Sequence, residues 1–377
     1  MKVYFDNAAT TPLDKEVLET MLPFMAEFYG NPSSIHSHGR EVRSAIEKSR
    51  KTVASLLNAS PSEIFFTSGG TEADNTAIRC GIETHHITHA ITSQTEHHAV
   101  LHTLQEMAKS KKINLSYVKL DEKGNVDLND LESLLKNNPR SFVSLMHANN
   151  EIATISDITL IGELCKANNA LFHSDTVQTM GHYKHDLQSL NIQFIVGAAH
   201  KFHGPKGVGF LYINSSAKIN PFIHGGSQER NMRGGTENVY GIIGLAKALE
   251  ISYREMDEHK SHIKGLKKAM IEKLKNNISN ISFNGESENI DNSLYTVLSV
   301  SLPPSENNDM LLFNLDIDKI SASGGSACSS GSEVGSHVLQ ALNIHPDRAN
   351  VRFSFSKYNT LEEVEYVANV LSKMFVK

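Results

Sequence analysis

The chain has 377 residues, enough for two domains and a sizeable core. Lys and Arg number 36 against 42 Asp and Glu, a formal net charge of −6, which argues against a general nucleic-acid binder. Apolar content of 40% and charged content of 21% exclude wholesale disorder, and no apolar run approaches the ~18 residues of a membrane span.

Cys80, Cys165 and Cys328 are too few for a disulfide framework, and without a C-x-x-C pair they do not make a cysteine-rich zinc site. Asp6 stands where a signal peptide would carry its apolar core, so a cytoplasmic, reducing location is expected. The 19 histidines, if all charged, would move the net charge to +13, which predicts pH-dependent solubility between about 5 and 7.

In chain order, Val42, Ile46, Val53, Leu56 and Leu57 mark one face of a helix that ends before Pro61. Strand-length apolar runs follow at Ile64–Thr67, Ala90–Thr92, Leu115–Lys119, Phe142–Met146, Leu171–His173, Phe194–Val196 and Val208–Ile213. Helical patterns at His97–Lys109, Leu128–Lys136 and Ile158–Ala167 lie between them, which predicts βαβ units and a mostly parallel sheet covered on both faces. One long helical pattern, Gly241–Lys275, leads into a smaller α+β unit. Its elements are a strand (Thr296–Leu302), a helix (Asp309–Leu315), a Ser/Gly loop (Ser321–Ser332), a helix (Glu333–Leu342), a strand (Val351–Ser356) and a last helix (Leu361–Phe375).

Four segments carry candidate chemistry where strands give way to loops, the edge at which open α/β sheets bind ligands. Thr67-Ser68-Gly69-Gly70-Thr71-Glu72 reads as a strand, a glycine turn and a helix start that could cradle phosphate, or simply as a capped turn. Asp175, at a strand end with Gln178 after it, suits a cationic ring nitrogen, or caps a helix. Lys201, between His200 and Gly204-Pro205, suits a Schiff base, or is a surface lysine. Together these three are the parts a pyridoxal phosphate site requires, with His97 or His98 placed to move protons. Cys328, in the small-residue run Ser323–Ser332, is the candidate nucleophile, whereas Cys80 and Cys165 lie in helical patterns as packing residues.

The combination resembles a cysteine desulfurase of the NifS/IscS type, in the class V aminotransferase group of fold-type-I pyridoxal phosphate enzymes. The resemblance runs nearly end to end, through Asp6-Asn7-Ala8-Ala9-Thr10-Thr11-Pro12, Gly30-Asn31-Pro32-Ser33-Ser34, Phe66–Asn75, Met146–Glu151, His200-Lys201, Arg233–Asn238, Gly325–Cys328 and Val351–Ser354. It implies an α/β fold: a large cofactor-binding domain (13–255) with a mostly parallel seven-stranded sheet between helices, and a smaller α+β domain (1–12 and 256–377). The small domain carries the cysteine loop (about 321–332), which resembles the longer loop of the NifS/IscS class.

The resemblance further implies that Lys201 holds pyridoxal 5'-phosphate, Asp175 pairs with the ring nitrogen and Gln178 with the ring hydroxyl. His97 stacks on the ring and acts as acid or base, and Gly70, Thr71 and His200 hold the phosphate. Thr236 does so from a partner subunit of a homodimer. Asn7, Asn150 and Arg352 bind the substrate L-cysteine, with Asn150 also near the cofactor. Cys328 takes the sulfur as a persulfide for a sulfur-acceptor protein, an iron–sulfur scaffold or a tRNA-thiolation protein. No metal site is implied beyond Cys328 as a transient iron–sulfur ligand. Ala198 departs from the family, which commonly has a phosphate-binding serine there, and Glu333-Val334-Gly335 replaces the usual Leu-Glu-Pro. The chain also stops at Lys377, short of the extension with which housekeeping members contact a scaffold protein. The competing activities are selenocysteine lyase or another class V reaction, and a non-enzymatic sulfur-metabolism regulator, which retention of Lys201 and Cys328 disfavours.

Overall fold

A computed structural model describes residues 1–305, 308–324, 335–345 and 347–375. Cys328 and the rest of 325–334 lie outside the described residues. The chain opens with β1 (Val3–Tyr4), α1 (Lys15–Ala26) and α2 (Ser37–Leu56). It then alternates β2 (Ile64–Thr67), α3 (Gly70–Thr84), β3 (His89–Thr92), α4 (His98–Lys109), β4 (Asn114–Tyr117), α5 (Leu128–Asn137), β5 (Phe142–Ser144), α6 (Ile158–Ala167), β6 (Leu171–Ser174), β7 (Phe194–Ala198) and β8 (Gly209–Ile213). These strands form one seven-stranded sheet in the order β2-β8-β7-β6-β5-β3-β4, in which only β8 runs against its neighbours. β7 and β8 are buried at every position, as central strands covered on both faces must be. Gly197 in β7 is required there: a Cβ would stand 2.3 Å from the Phe210 ring on β8.

The remaining elements are α7 (Val239–Arg254), α8 (Met256–Asn277), β9 (Ser282–Phe283), β10 (Val297–Ser301), α9 (Leu311–Ile317), β11 (Ile320–Ser321), α10 (His337–Ala341), β12 (Asn350–Ser354) and α11 (Leu361–Phe375). β12, β10 and β9 form an antiparallel sheet, and β11 pairs in parallel with β1. Val3 and Phe5 therefore share a core with Ile263, Leu266, Leu298, Phe353 and Val367, far away in sequence. The large sheet has its own packing on each face, one layer around Phe172, Phe210 and Leu249, the other around Ile78, Leu104 and Phe194. Among the described residues no helix is long and apolar enough to cross a membrane.

Several elements depart from the expectation: the short strands β1, β9 and β11 are additional, and of the helix expected over Glu333–Leu342 the described residues show only His337–Ala341. The long helical pattern 241–275 is two helices, broken at Glu255, whose φ of −109° and ψ of 13° leave the helical region. Residues 308–310 form a 3₁₀ turn ahead of α9. α1 was not anticipated: Pro23 sits inside it, and a proline reads as a breaker.

The histidine-rich composition also behaves differently once folded. His173, His185 and His203 are buried, and burial pushes them down to about 3, 4 and 4. They therefore stay neutral in the native protein at pH 5 and cannot contribute to the charging expected from composition. The unfolded chain does take up those protons below about pH 6.5. Between about pH 4 and 6.5 the unfolded state binds more protons, so this stabilisation is complete above that window and is lost as pH falls through it. Glu96, raised to about 8, and Asp74, Glu151 and Glu237, also raised, oppose the trend but are outnumbered by the lowered histidines, which include His147, His182 and His200. The melting temperature is expected to drop by roughly 10 °C between pH 7 and pH 5, with an upper bound near 2 kcal/mol per histidine. A melting temperature constant over that range in differential scanning calorimetry would contradict this.

Candidate active site

The C-terminal ends of the parallel strands, the N-terminal segment and β12 enclose a cavity of about 220 Å³. Its wall includes Gly70, Thr71, His97, Asn150, Asp175, Gln178, His200, Lys201 and Arg352, nine of the residues singled out from sequence. Ala8, Ala9, Asp74, Met146, Val177 and Ala198 complete it.

The glycine turn after β2 delivers the chain into α3. Ala73 N is the first helix amide to bond back, donating to Gly69 O at 3.2 Å, so the amides of Gly70, Thr71 and Glu72 precede the helical ladder. They form a positive end suited to an anion. Gly70 cannot carry a side chain without conflict, because a Cβ would stand 2.9 Å from Val177 Cγ2. The Glu72 carboxylate turns back to accept from Ser68 N at 2.9 Å and from Arg233 Nε at 2.9 Å, tying the turn to the 228–235 segment.

After β3, His97 is the N-cap of α4: its Nδ1 accepts from Ala99 N at 3.2 Å, which leaves Nε2 as the ring nitrogen free to exchange a proton. Burial lowers the His97 pKa, the nearby Asp175 charge opposes this, and Lys201, His337 and His102 lower it further. Asp175 follows β6 and is 6% exposed; its Oδ1 accepts from Val177 N at 2.9 Å. Gln178 Nε2 donates to Ala8 O at 3.1 Å.

Lys201 ends a short 3₁₀ turn after β7, and its Nζ donates to Ala8 O at 2.6 Å and Ala9 O at 2.9 Å. The neighbouring His200 is pushed down to about 4 by burial and by the charges of Lys201 and Lys206, so at neutral pH it is an uncharged donor. Its Nδ1 lies 3.2 Å from Thr10 Oγ1.

On the opposite wall, Arg352 is 2% exposed. Its Nη2 donates to Asp6 Oδ1 at 2.7 Å and its Nη1 to Asn150 O at 3.1 Å, while Nε is buried without a partner among the described residues. Its backbone pairs with Ser323, just before the segment that contains Cys328. Beyond that segment Ser336 Oγ donates to Glu151 Oε2, and His337 Nε2 lies 2.9 Å from Glu96 O. One flank is thus paired with the wall residue Arg352, and the other is tied to Glu151 and Glu96, the chain neighbours of the wall residues Asn150 and His97.

Two expected residues are elsewhere. Asn7 lies behind the wall, where its Nδ2 donates to Ser354 O at 2.8 Å and contacts Asn359 Oδ1 at 3.2 Å. Thr236 lines a different cavity with Ser68, Gly207 and Asn238. Cys80 and Cys165 are buried, and burial raises their thiols to about 11 and 12, as packing cysteines should be. Asp74 was missed from the sequence; its only signal was a position one turn into α3, behind the glycine turn.

A family model for aminotransferase class-V matches residues 3–367. The chain is 44% identical to a cysteine desulfurase IscS of Dictyoglomus turgidum over 100% of this chain and 95% of that one. It is 39% identical to a putative cysteine desulfurase IscS 1 of Bacillus subtilis over 99% of both chains. Among solved structures, a NifS-like protein superposes with a TM-score of 0.90 at 38% identity, covering 99% of each chain. SspA in complex with cysteine superposes with a TM-score of 0.81 at 31% identity, covering 96% of this chain and all of that one. Lysine, aspartate and glycine turn at one sheet edge, an arginine opposite, and these likenesses along the whole length lead to one assignment: the chain belongs to the class-V aminotransferase family, among the cysteine desulfurases of the NifS/IscS type.

Proposed function

We propose that the protein uses pyridoxal 5'-phosphate to convert L-cysteine to L-alanine, passing the sulfur to Cys328 as a persulfide. The observation that carries this reading is the convergence of Lys201, Asp175, His97, Gln178 and the first amides of α3 on one cavity, with the Arg352 guanidinium across from them. The wall fits the group: a glycine where a Cβ would collide with Val177, uncommitted helix-start amides for a phosphate, an acid for a ring nitrogen and an amine for a carbonyl. Ala198 offers no hydroxyl, which removes one donor, worth about 1 kcal/mol.

When bound, pyridoxal phosphate supplies an electron sink that stabilises negative charge at the substrate Cα. Gly70, Thr71 and His200 would hold the phosphate, Asp175 would pair with the ring nitrogen and Gln178 with the ring hydroxyl, and Lys201 would be the covalent anchor. Arg352 receives the substrate carboxylate; its unpartnered Nε is the donor that awaits an acceptor, and Asn150 sits beside it. Asn7 supports that wall from behind through Ser354. Lys201 Nζ removes the Cα proton, and His97 Nε2 carries protons at the substrate. The Cys328 thiolate attacks the substrate sulfur: an S–S bond forms, the substrate C–S bond breaks, and its electron pair ends as a C–H bond of alanine. Cysteine and a thiol thus give alanine and a persulfide with no outside oxidant.

The large unit 13–255 supplies the cofactor wall, and the unit of 1–12 with 256–377 supplies Arg352 and the cysteine segment. The working protein is a homodimer, in which Thr236 serves the phosphate of the partner's site. Its place in a different cavity from Lys201 supports this, as do the exposed apolar side chains of Leu18, Leu22 and Met25 on α1. A reduced Cys328 calls for a reducing compartment, the cytoplasm, and for a sulfur-acceptor protein as partner.

The test is alanine formed from L-cysteine with cofactor and a thiol reductant, comparing wild type with Cys328→Ala. Wild-type activity with a loss of roughly 10³-fold or more in the variant is expected. Equal alanine in both would remove Cys328 as the acceptor and favour a lyase without a thiol nucleophile. No alanine from either would overturn the reading.

A further inference from the structure

Asp74 has no task in the reaction above, yet it lines the same cavity and is 1% exposed. One ligand atom each from Asp74, His97 and Asp175 all lie within 4.8 Å of one another. Behind Asp74 a buried chain runs into the sheet. Asp74 Oδ1 is 3.3 Å from His173 Nε2, and His173 Nδ1 is 2.8 Å from Ser144 Oγ. His173 is the only basic group in ion-pair distance of Asp74 among the described residues, and it is itself fully buried. Burial pushes that imidazole down to about 3, so it brings no positive charge. The other titratable groups that face Asp74 come from two connections: Asp175 after β6, and Glu96 with His97 between β3 and α4. Lys201 and Arg352 also line the cavity, and neither is in ion-pair distance of Asp74.

Two carboxylates this close in a dry site do not both ionise, because each charge raises the cost of the other. Protons then belong to the pair. Complete burial, with the charges of Asp175 and Glu96 added, holds Asp74 well above the usual carboxylate range. Asp175, by contrast, accepts from a backbone donor, Val177 N, at 2.9 Å.

We propose that Asp74 is a positioning residue that stays neutral beside Asp175, so that the acid pair presents one negative charge rather than two to the cofactor's ring nitrogen, with His173 and Ser144 packed behind Asp74. The proposal rests on the cofactor reading above. One negative charge opposite one cationic N–H leaves the ring nitrogen protonated without an excess anion in the cavity.

Full-length wild type, Asp74→Asn and Asp74→Ala would be stripped of cofactor and reloaded with pyridoxal phosphate at pH 7, reading affinity from visible absorbance. The asparagine amide is neutral and donates as the acid does, so its affinity should stay within about threefold of wild type, whereas alanine should weaken it about tenfold or more. Infrared difference spectra of the cofactor-free proteins, wild type minus Asp74→Asn at pH 7, give an independent readout: a protonated-carboxyl component that the variant loses, while the band from the buried Glu96 remains in both. A tenfold loss in Asp74→Asn would show that an ionised Asp74 is needed and would overturn the proposal. So would an unchanged carboxyl band, or asparagine and alanine variants alike in affinity. If the alanine variant does not fold, the asparagine affinity and the infrared band decide. A wild type that binds no cofactor would instead sink the reading of the site, which is a different result.

Discussion

Lys201→Ala is expected to lower alanine production by about 10⁴-fold or more and to abolish covalent retention of the cofactor. Two roles fall together in this residue. In the proposed reaction its Nζ is both the amine that anchors the cofactor and the base that moves the substrate Cα proton. The backbone makes this position hard to replace. Lys201 leaves β7 through a 3₁₀ turn whose next residues are fixed by Gly204 N and Phe202 N, both donating to Ala199 O. A Cβ on Gly204 would approach the Ala199 carbonyl oxygen to 2.9 Å, so the loop is built around small residues that set the direction of the lysine. Borohydride treatment followed by unfolding and mass spectrometry should find the cofactor attached at Lys201 in wild type and nowhere in the variant. A variant that still retained the cofactor covalently would move the anchor to another amine and dismantle the proposed site.

The largest effect on stability is expected from Arg50→Ala, a loss of about 3–5 kcal/mol in urea unfolding. Arg50 is 2% exposed and Glu229 5% exposed. The guanidinium meets Glu229 with two bonds, at 2.7 and 2.8 Å, and donates to Ile64 O at 2.8 Å. Glu229 also accepts from Phe66 N at 2.7 Å, and the guanidinium lies 4.7 Å from the Phe66 ring centre. Removing Arg50 leaves a buried carboxylate without its cation, and the penalty comes from that orphan more than from the missing attraction. Glu229, Arg230 and Asn231 have φ of 44°, 57° and 67°, a left-handed run that non-glycine residues adopt only where surrounding contacts hold them. The ion pair is such a contact, and it secures the segment leading to Thr236. Arg50→Met combined with Glu229→Gln should recover much of the loss, since neither charge then remains buried alone. A cost below about 1 kcal/mol for Arg50→Ala would show that water reaches Glu229 and that the pair is dispensable.

Much of the site was legible because its residues sit at strand ends, where a local pattern already implies an exposed edge. Gly70, Thr71, Asp175, Gln178, His200 and Lys201 each follow a short apolar run, and Arg352 lies within the last one. Asp74 and Asp6 gave no such sign. Asp74 is one acid in an amphipathic helix, and only the fold of α3 against β6 brings it beside Asp175 and His173. Asp6 meets Arg352 across 346 residues of chain, a distance that no periodicity reports. The break at Glu255 was equally hidden, because helix-favouring residues continue on both sides of it.

The sequence by itself determined the alternation of strands and helices and the residue types that a cofactor-bearing sheet edge needs. Those are properties of short windows, set by side-chain period and local backbone preference. Only the tertiary structure decided which of the 19 histidines stay uncharged, since burial, not composition, sets their proton affinity. It also decided that Val3 and Phe5 belong to the C-terminal core, and that two acids 101 residues apart, Asp74 and Asp175, face one cavity. Electrostatic coupling falls off with distance in space, and distance in space is what folding supplies.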